Sequence, residues 1–463
     1  MYTTQPVKES GSPLLYSNTN TPVYADDSAE LPVKKRGCTD IIFSIIFIAV
    51  LIYYFINTAQ YFDLDLAFKP KTTSFKFNDV LKTSLWLCGG FGIAWLILLR
   101  YLSGVLVWML AIVGNGALYV VGFLVYRNPE TLKLSSQNAF YLMIIIEIVA
   151  IVITLLLILL RNKIKLTIGL LKNSVSAFTS VPSVVFVSVI VAAIMICAIL
   201  YGVVVNINAV TALSAGDSAK FVIFVVFVTA WIGFFLSGLL QLSIGGGIGH
   251  WYFTKDRTMG TPGCFRYLFF GLTLHLGTIA VGSLILAILF TIRFIVNKAK
   301  KSAKAKGNKI GACLLGCIAC CLKCFESLID WLTSYAYIFV ALHGESFISS
   351  GKRVTALLKK HFDTAAVNDG LSWFIFTVGN ILLGVLTYSV LGKIYEDATT
   401  SQRMMGASIV FVFLYALSLM LKRVLQAVFV CFAEDAEDGY KYTPVELRAI
   451  IEGSDLVVKD NSV

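Results

Sequence analysis

Of 463 residues, 57% are hydrophobic and only 14% are charged, with a mean hydropathy of +0.81, whereas soluble domains are roughly half apolar and a quarter charged. That composition excludes an ordinary water-soluble fold, which could not hide so much apolar surface. The net charge of +11 does not point to nucleic acid, because the Lys and Arg residues sit mostly beside apolar runs, where they anchor membrane segments on an anionic leaflet.

Residues 1–40 are polar, rich in Ser, Thr and Pro, and lack the apolar core of a signal peptide. They read as a disordered tail kept in the cytoplasm. Residues 41–433 read as one all-α, polytopic integral membrane domain, since a helix needs ~20 apolar residues to cross ~30 Å of hydrocarbon and lipid offers unpaired backbone groups no partner. About ten transmembrane helices are expected, at 41–58, 83–100, 102–126, 140–160, 179–206, 219–244, 267–296, 331–350, 371–393 and 405–424. Residues 434–463 form a tail with eight acidic and three basic residues, expected to be cytoplasmic and solvated.

Charge sets the sidedness of these spans. Lys34, Lys35 and Arg36 precede the first span and Arg161, Lys163, Lys165 and Lys172 follow the fourth, so both flanks belong inside and an even number of spans separates them. Arg100 and Tyr101 interrupt an apolar run of about forty residues, which predicts a tight hairpin with a cytoplasmic turn. Residues 161–178 alternate Ile164, Leu166, Ile168 and Leu171 with lysines, the pattern of a basic surface helix. The loop carrying Lys298, Lys300, Lys301, Lys304, Lys306 and Lys309 falls outside in a ten-span count, against the charge rule.

From Trp231 onward several motifs occur in a telling order: SIGGGIGHWYF (243–253), HLGTIAVGSLILAI (275–288), the cysteine-rich ACLLGCIACCLKCFE (312–326) followed by Tyr335, Tyr337 and Phe347, and VCFAEDAEDGY (430–440). LLRNKIKLTIGLLKNS (159–174) adds weaker support. Together they resemble the choline transporter-like family, also called the solute carrier 44 family, over roughly residues 80–450. The short loop 59–82 resembles the fungal and protist branch, while Ile348 and Gly351 depart from the common Cys and Ala. The resemblance implies a gradient-driven or facilitative carrier for choline or a related small organic cation such as ethanolamine, multi-pass in the plasma membrane or in an organelle membrane. The alternative is a membrane scaffold or lipid-contacting protein without transport activity.

A quaternary ammonium has no conventional hydrogen-bond donor, so a site for it surrounds the cation with aromatic faces. Trp231, Trp86, Trp95, Trp108 and Tyr337 fall within spans and are the substrate-binding candidates, although Trp86 and Trp95 also fit an interfacial belt, and most aromatics on apolar helices only pack. Trp251 and Trp331 read as interface anchors. Glu147 stands alone in FYLMIIIEIVAIVITLLLILL and is a candidate both for substrate binding and for proton coupling, with snorkelling to an interface as the bland reading. His275 is a second proton-coupling candidate, or simply hydrogen-bonds a neighbouring helix.

Asn380 and glycines 245–247, 277 and 282 suit close helix packing. Cys313, Cys317, Cys320, Cys321 and Cys324 invite a zinc reading, but no His joins them, so packing or acylation fits better. No P-loop, nucleophile elbow or His-Glu-x-x-His pattern occurs. The expectation is a non-enzymatic protein with no cofactor and no metal, whose partners are a cationic solute and the bilayer.

Overall fold

A computed structural model describes residues 37–63, 78–132, 135–254, 263–395, 399–437, 439–444 and 447–448. The basic triplet at 34–36, most of the first tail and residues 449–463 lie outside these described residues. The chain is all α-helical there, in eleven α-helices: α1 (Ile41–Thr58), α2 (Asn78–Arg127), α3 (Ser136–Leu159), α4 (Arg161–Ser180), α5 (Ser183–Ala212), α6 (Ala215–Phe253), α7 (Gly263–Thr273), α8 (Leu276–Ala305), α9 (Lys309–His343), α10 (Phe347–Ile394) and α11 (Thr400–Glu437). All but α4 and α7 are long and apolar enough to cross a membrane, nine spans among the described residues. Apolar side chains such as Ile45, Ile52, Ile145 and Ile190 face outward in quantity, which is stable only when lipid is the solvent.

The difference from ten spans arises at one place. Instead of a hairpin at Arg100–Tyr101, α2 is a single helix of 50 residues. Nothing in Arg100-Tyr101-Leu102-Ser103-Gly104 forbids this, since there is no proline and one glycine costs a helix only about 1 kcal/mol. The Arg100 guanidinium settles 5.8 Å from the Tyr101 ring centroid on the exposed side. At ~1.5 Å per residue such a helix is about 75 Å long, over twice the hydrocarbon thickness. It also bows: Trp95 lies against Gly379 and Phe374 against Gly114, so positions 19 residues apart on α2 meet positions five apart on α10.

Three further expectations are corrected. The predicted surface helix at 161–178 is α4, and twelve of its twenty residues are buried. It packs between α2, α10 and α11, with Lys163 drawn to Asp363 at 3.1 Å and to the Thr364 hydroxyl. The apolar side of the helix is covered by protein there and not by a headgroup layer. The predicted span 267–296 breaks at Leu274–His275 into α7 and α8. The predicted span 331–350 ends at His343, because Gly344 takes the left-handed conformation (φ 68°) that closes a helix without a Cβ clash. Residues from Phe347 then begin α10, which bends at His361 before crossing.

Tight spacing of α6, α7 and α9 depends on glycine. A Cβ on Gly246 would come within 2.1 Å of the Tyr267 ring, and one on Gly247 within 2.4 Å of Cys264 Sγ. Small residues thus let helices approach where lipid supplies no hydrophobic drive. At one end of the bundle the start of α1 meets α8 and α10: Asp40 Oδ2 accepts from Thr278 (2.8 Å) and from the Phe347 amide (3.0 Å). His343 of α9 and Glu434 of α11 pair at 2.6 Å at that same end. The lysine tip 298–309 stands at the other end, thirty helical residues away along α8. The described start of the second tail is docked and not solvated, since Asp435 is buried and accepts from the Tyr442 amide and from the Thr443 hydroxyl.

Candidate cation site

Polar side chains from four helices converge in the interior. Tyr335 and Trp331 lie 8 and 12 residues inward from His343 on α9, Gln426 and Arg423 lie 8 and 11 inward from Glu434 on α11, and Gln241 lies 12 inward from Phe253 on α6. At ~1.5 Å per residue these lie about 12–18 Å along their helices from those ends.

Asp369 of α10 is the hub. Its Oδ2 accepts hydrogen bonds from the Trp331 indole and from the Tyr335 hydroxyl at 2.8 Å, and its Oδ1 accepts from Gln426 at 3.1 Å. A charged carboxylate packed among helices costs several kcal/mol unless donors meet it, and here three do. Trp331 is ringed by aromatics, with Tyr335 at 5.4 Å and Phe362 at 6.1 Å, and Phe429 stands 6.0 Å beyond Tyr335. Asp369 itself is half-buried. The adjacent Asn368 is fully buried, and neither polar atom of its side chain meets a partner among the described residues. Arg423 donates to Ser237 and Gln241, and Asp330 sits one residue before Trp331 with its side chain exposed.

The candidates from the sequence fall into two separate groups. Trp231 is 2% exposed and donates from Nε1 to the Ala280 carbonyl and the Ser283 hydroxyl, both at 3.1 Å. Tyr337 approaches the same stretch of α8, donating to the Ile279 carbonyl at 3.3 Å. His275 begins α8, fully buried, with Nδ1 3.0 Å from the Thr39 hydroxyl. These three therefore bracket one helix, and they hold it against α6, α9 and the start of α1.

The second group lies along α2 and α3. Trp86 is 84% exposed and faces outward, as a belt residue would. Trp95 is buried against Gly379, and Trp108 packs partly buried on the main core. Glu147 is half-buried in the α2–α3 hairpin with its carboxylate close over Gly122. The structure does not bring Glu147 to Trp231. Trp251 is core and not an interface anchor, while Trp331 is half-buried and donates to Asp369.

Asp369 was hidden in the sequence because Asn368-Asp369-Gly370 reads as a turn preceding a span. The legible signal was instead Gln241 and Gln426, amides inside otherwise apolar helices. The five clustered cysteines are exposed along α9, and among the described residues no group of three His, Cys, Asp or Glu side chains is placed to hold a metal.

A family model described as plasma-membrane choline transporter matches residues 144–437, well over half of the chain. The protein belongs to that family. The matched segment contains all of Gln241, Trp331, Tyr335, Asp369, Arg423 and Gln426. Among relatives of this choline transporter family, choline transporter-like protein 2 of Dictyostelium discoideum is 26% identical over 445 residues, covering 87% of this chain and 70% of the relative. A CTL-like protein of the same organism is 24% identical over 414 residues, covering 81% and 74%. Protein PNS1 of Mycosarcoma maydis is 31% identical over 229 residues, covering 47% and 42%. Family membership and the spans together make this a multi-pass integral membrane protein of a transporter family.

Proposed function

We propose that this protein carries choline or a related small organic cation down or along a gradient across a bilayer, the plasma membrane being the first candidate. The observation that supports this reading is Asp369, a half-buried carboxylate among packed helices with two aromatic residues bound to it. Negative charge attracts any cation, and the neighbouring ring faces favour one that carries alkyl groups in place of N–H donors. Trp231 and Tyr337 then act by holding α8 against α6 and α9.

The test is saturable uptake of radiolabelled choline by the full chain in liposomes, compared with ethanolamine and with and without a pH gradient. Saturable choline uptake that is lost in Asp369→Asn at unchanged incorporation supports the proposal. Wild-type protein that moves neither solute, or Asp369→Asn with wild-type uptake, refutes it.

A further inference from the structure

A directed hydrogen-bond chain leads to Asp369 from a fixed cation. Arg423 Nη1 donates to Gln241 Oε1 at 2.9 Å, Gln241 Nε2 donates to Gln426 Oε1 at 3.4 Å, and Gln426 Nε2 donates to Asp369 Oδ1 at 3.1 Å. Both amides are buried, Gln241 at 1% and Gln426 at 5% exposure. Their orientation is fixed by chemistry at the two ends, because a guanidinium only donates and an ionised carboxylate only accepts. Arg423 is held in turn by the Ser237 carbonyl at 3.1 Å and the Ser237 hydroxyl at 3.0 Å.

Asp369 therefore meets a substrate with its charge intact but most of its acceptor capacity used. A carboxylate has about four lone-pair directions, and Gln426, Trp331 and Tyr335 take three of them. A tetra-alkylammonium loses nothing at such a carboxylate, since it has no N–H to place. A primary ammonium brings three N–H donors and finds at most one free direction, so part of its hydration is stripped without replacement.

Resting on the reading of Asp369 as the cation-binding carboxylate, we infer that Gln426 determines specificity and that Arg423 is a positioning residue acting through Gln241. Together they set the preference for cations without N–H donors over cations with them. Breaking the chain releases Oδ1 and admits N–H-bearing ammonium ions, while the charge that attracts both kinds is unchanged.

The experiment measures ligand-induced thermal stabilisation of the purified full chain by tetramethylammonium and by methylammonium. Variants are Gln426→Leu, Gln426→Met, Arg423→Gln, the double Arg423→Gln/Gln426→Leu, and Asp369→Asn. Wild type is expected to prefer tetramethylammonium by about tenfold or more. Gln426→Leu or Gln426→Met should narrow that ratio several-fold by strengthening methylammonium alone, Arg423→Gln should act in the same direction, and the double variant should add nothing further. A ratio that stays fixed in every variant, or a parallel weakening of both ligands, overturns the inference, because a merely structural role moves affinities together. Should the Gln426 variants fail to fold, Arg423→Gln alone decides by the same ratio. Asp369→Asn separates the two readings: if it binds both ions like wild type, the cation site itself falls, whereas if binding is lost and the ratio in the chain variants does not move, only the role of the chain falls.

Discussion

Glu147 and Asp369 are both acidic side chains on membrane-spanning helices, and their surroundings differ in almost every respect. Glu147 sits on α3, a helix whose only buried residues are Ala139 and Ala150, and its carboxylate lies over Gly122. Asp369 receives donors from α9 twice and from α11 once. One acid is conspicuous in the sequence because its neighbours are greasy. The other is inconspicuous there and is singled out in space, because three side chains from distant positions aim at it. Isolation in sequence measures the cost of a charge, whereas convergence in space shows what offsets the cost.

The sharpest way to break this comparison is to neutralise each acid in turn. Asp369→Asn is expected to lower choline uptake at least ~100-fold, since it removes the charge that attracts the cation, while Glu147→Gln leaves uptake within about twofold. Equal losses in liposome flux from the two variants would erase the distinction. Removing one ring at a time is expected to cost less: Trp331→Ala and Tyr335→Ala should each weaken apparent choline affinity about tenfold, matching one cation–π contact. Concentration dependence of uptake checks this, and an unchanged affinity in both would detach the aromatics from the site.

Trp231→Ala tests the other group of candidates. Its indole is buried between α6, α8 and α1, with Phe47 at 5.0 Å, so truncation is expected to cost about 3–5 kcal/mol of stability. Thermal unfolding should show the loss, and the surviving folded fraction should keep the wild-type preference among cations. Trp86→Ala, in a residue that faces outward, should change neither stability nor uptake by more than a small factor.

The smallest expected effect concerns pH at the end of the bundle, outside the spans. Burial alone would raise the Glu345 carboxyl, but hydrogen bonds from Arg353 and Ser349 outweigh it and hold it below its ordinary value of 4.5. A depressed carboxyl contributes stability that is present above the unfolded value and lost as pH falls through the folded one. Unfolding curves at pH 7 and pH 5 should therefore coincide as far as this group is concerned, with destabilisation appearing only below 4.5, and Glu345→Gln should remove that acid-side component.

What was legible beforehand follows from what kind of information a sequence carries. Apolar runs near twenty residues must become helices in lipid whatever their neighbours do, so α1, α3, α5, α6 and α11 could be placed from composition alone. The hairpin at Arg100 was misread because charge and length argue for a break, while α2 runs on through that point and meets α10 at both Trp95 and Gly114. The face of α4 was misassigned for a related reason, since an amphipathic pattern reports that one side is apolar and not whether lipid or protein will cover it.

The sequence by itself determined that this chain is an all-α membrane protein with several polar side chains submerged in it, because the bilayer enforces helix and penalises every charge locally. Only the tertiary structure decided which of those side chains meet. Gln241, Trp331, Asp369 and Arg423 are separated by up to 182 positions and become one network because α6, α9, α10 and α11 pack at the same depth, a coincidence of levels that no local pattern encodes.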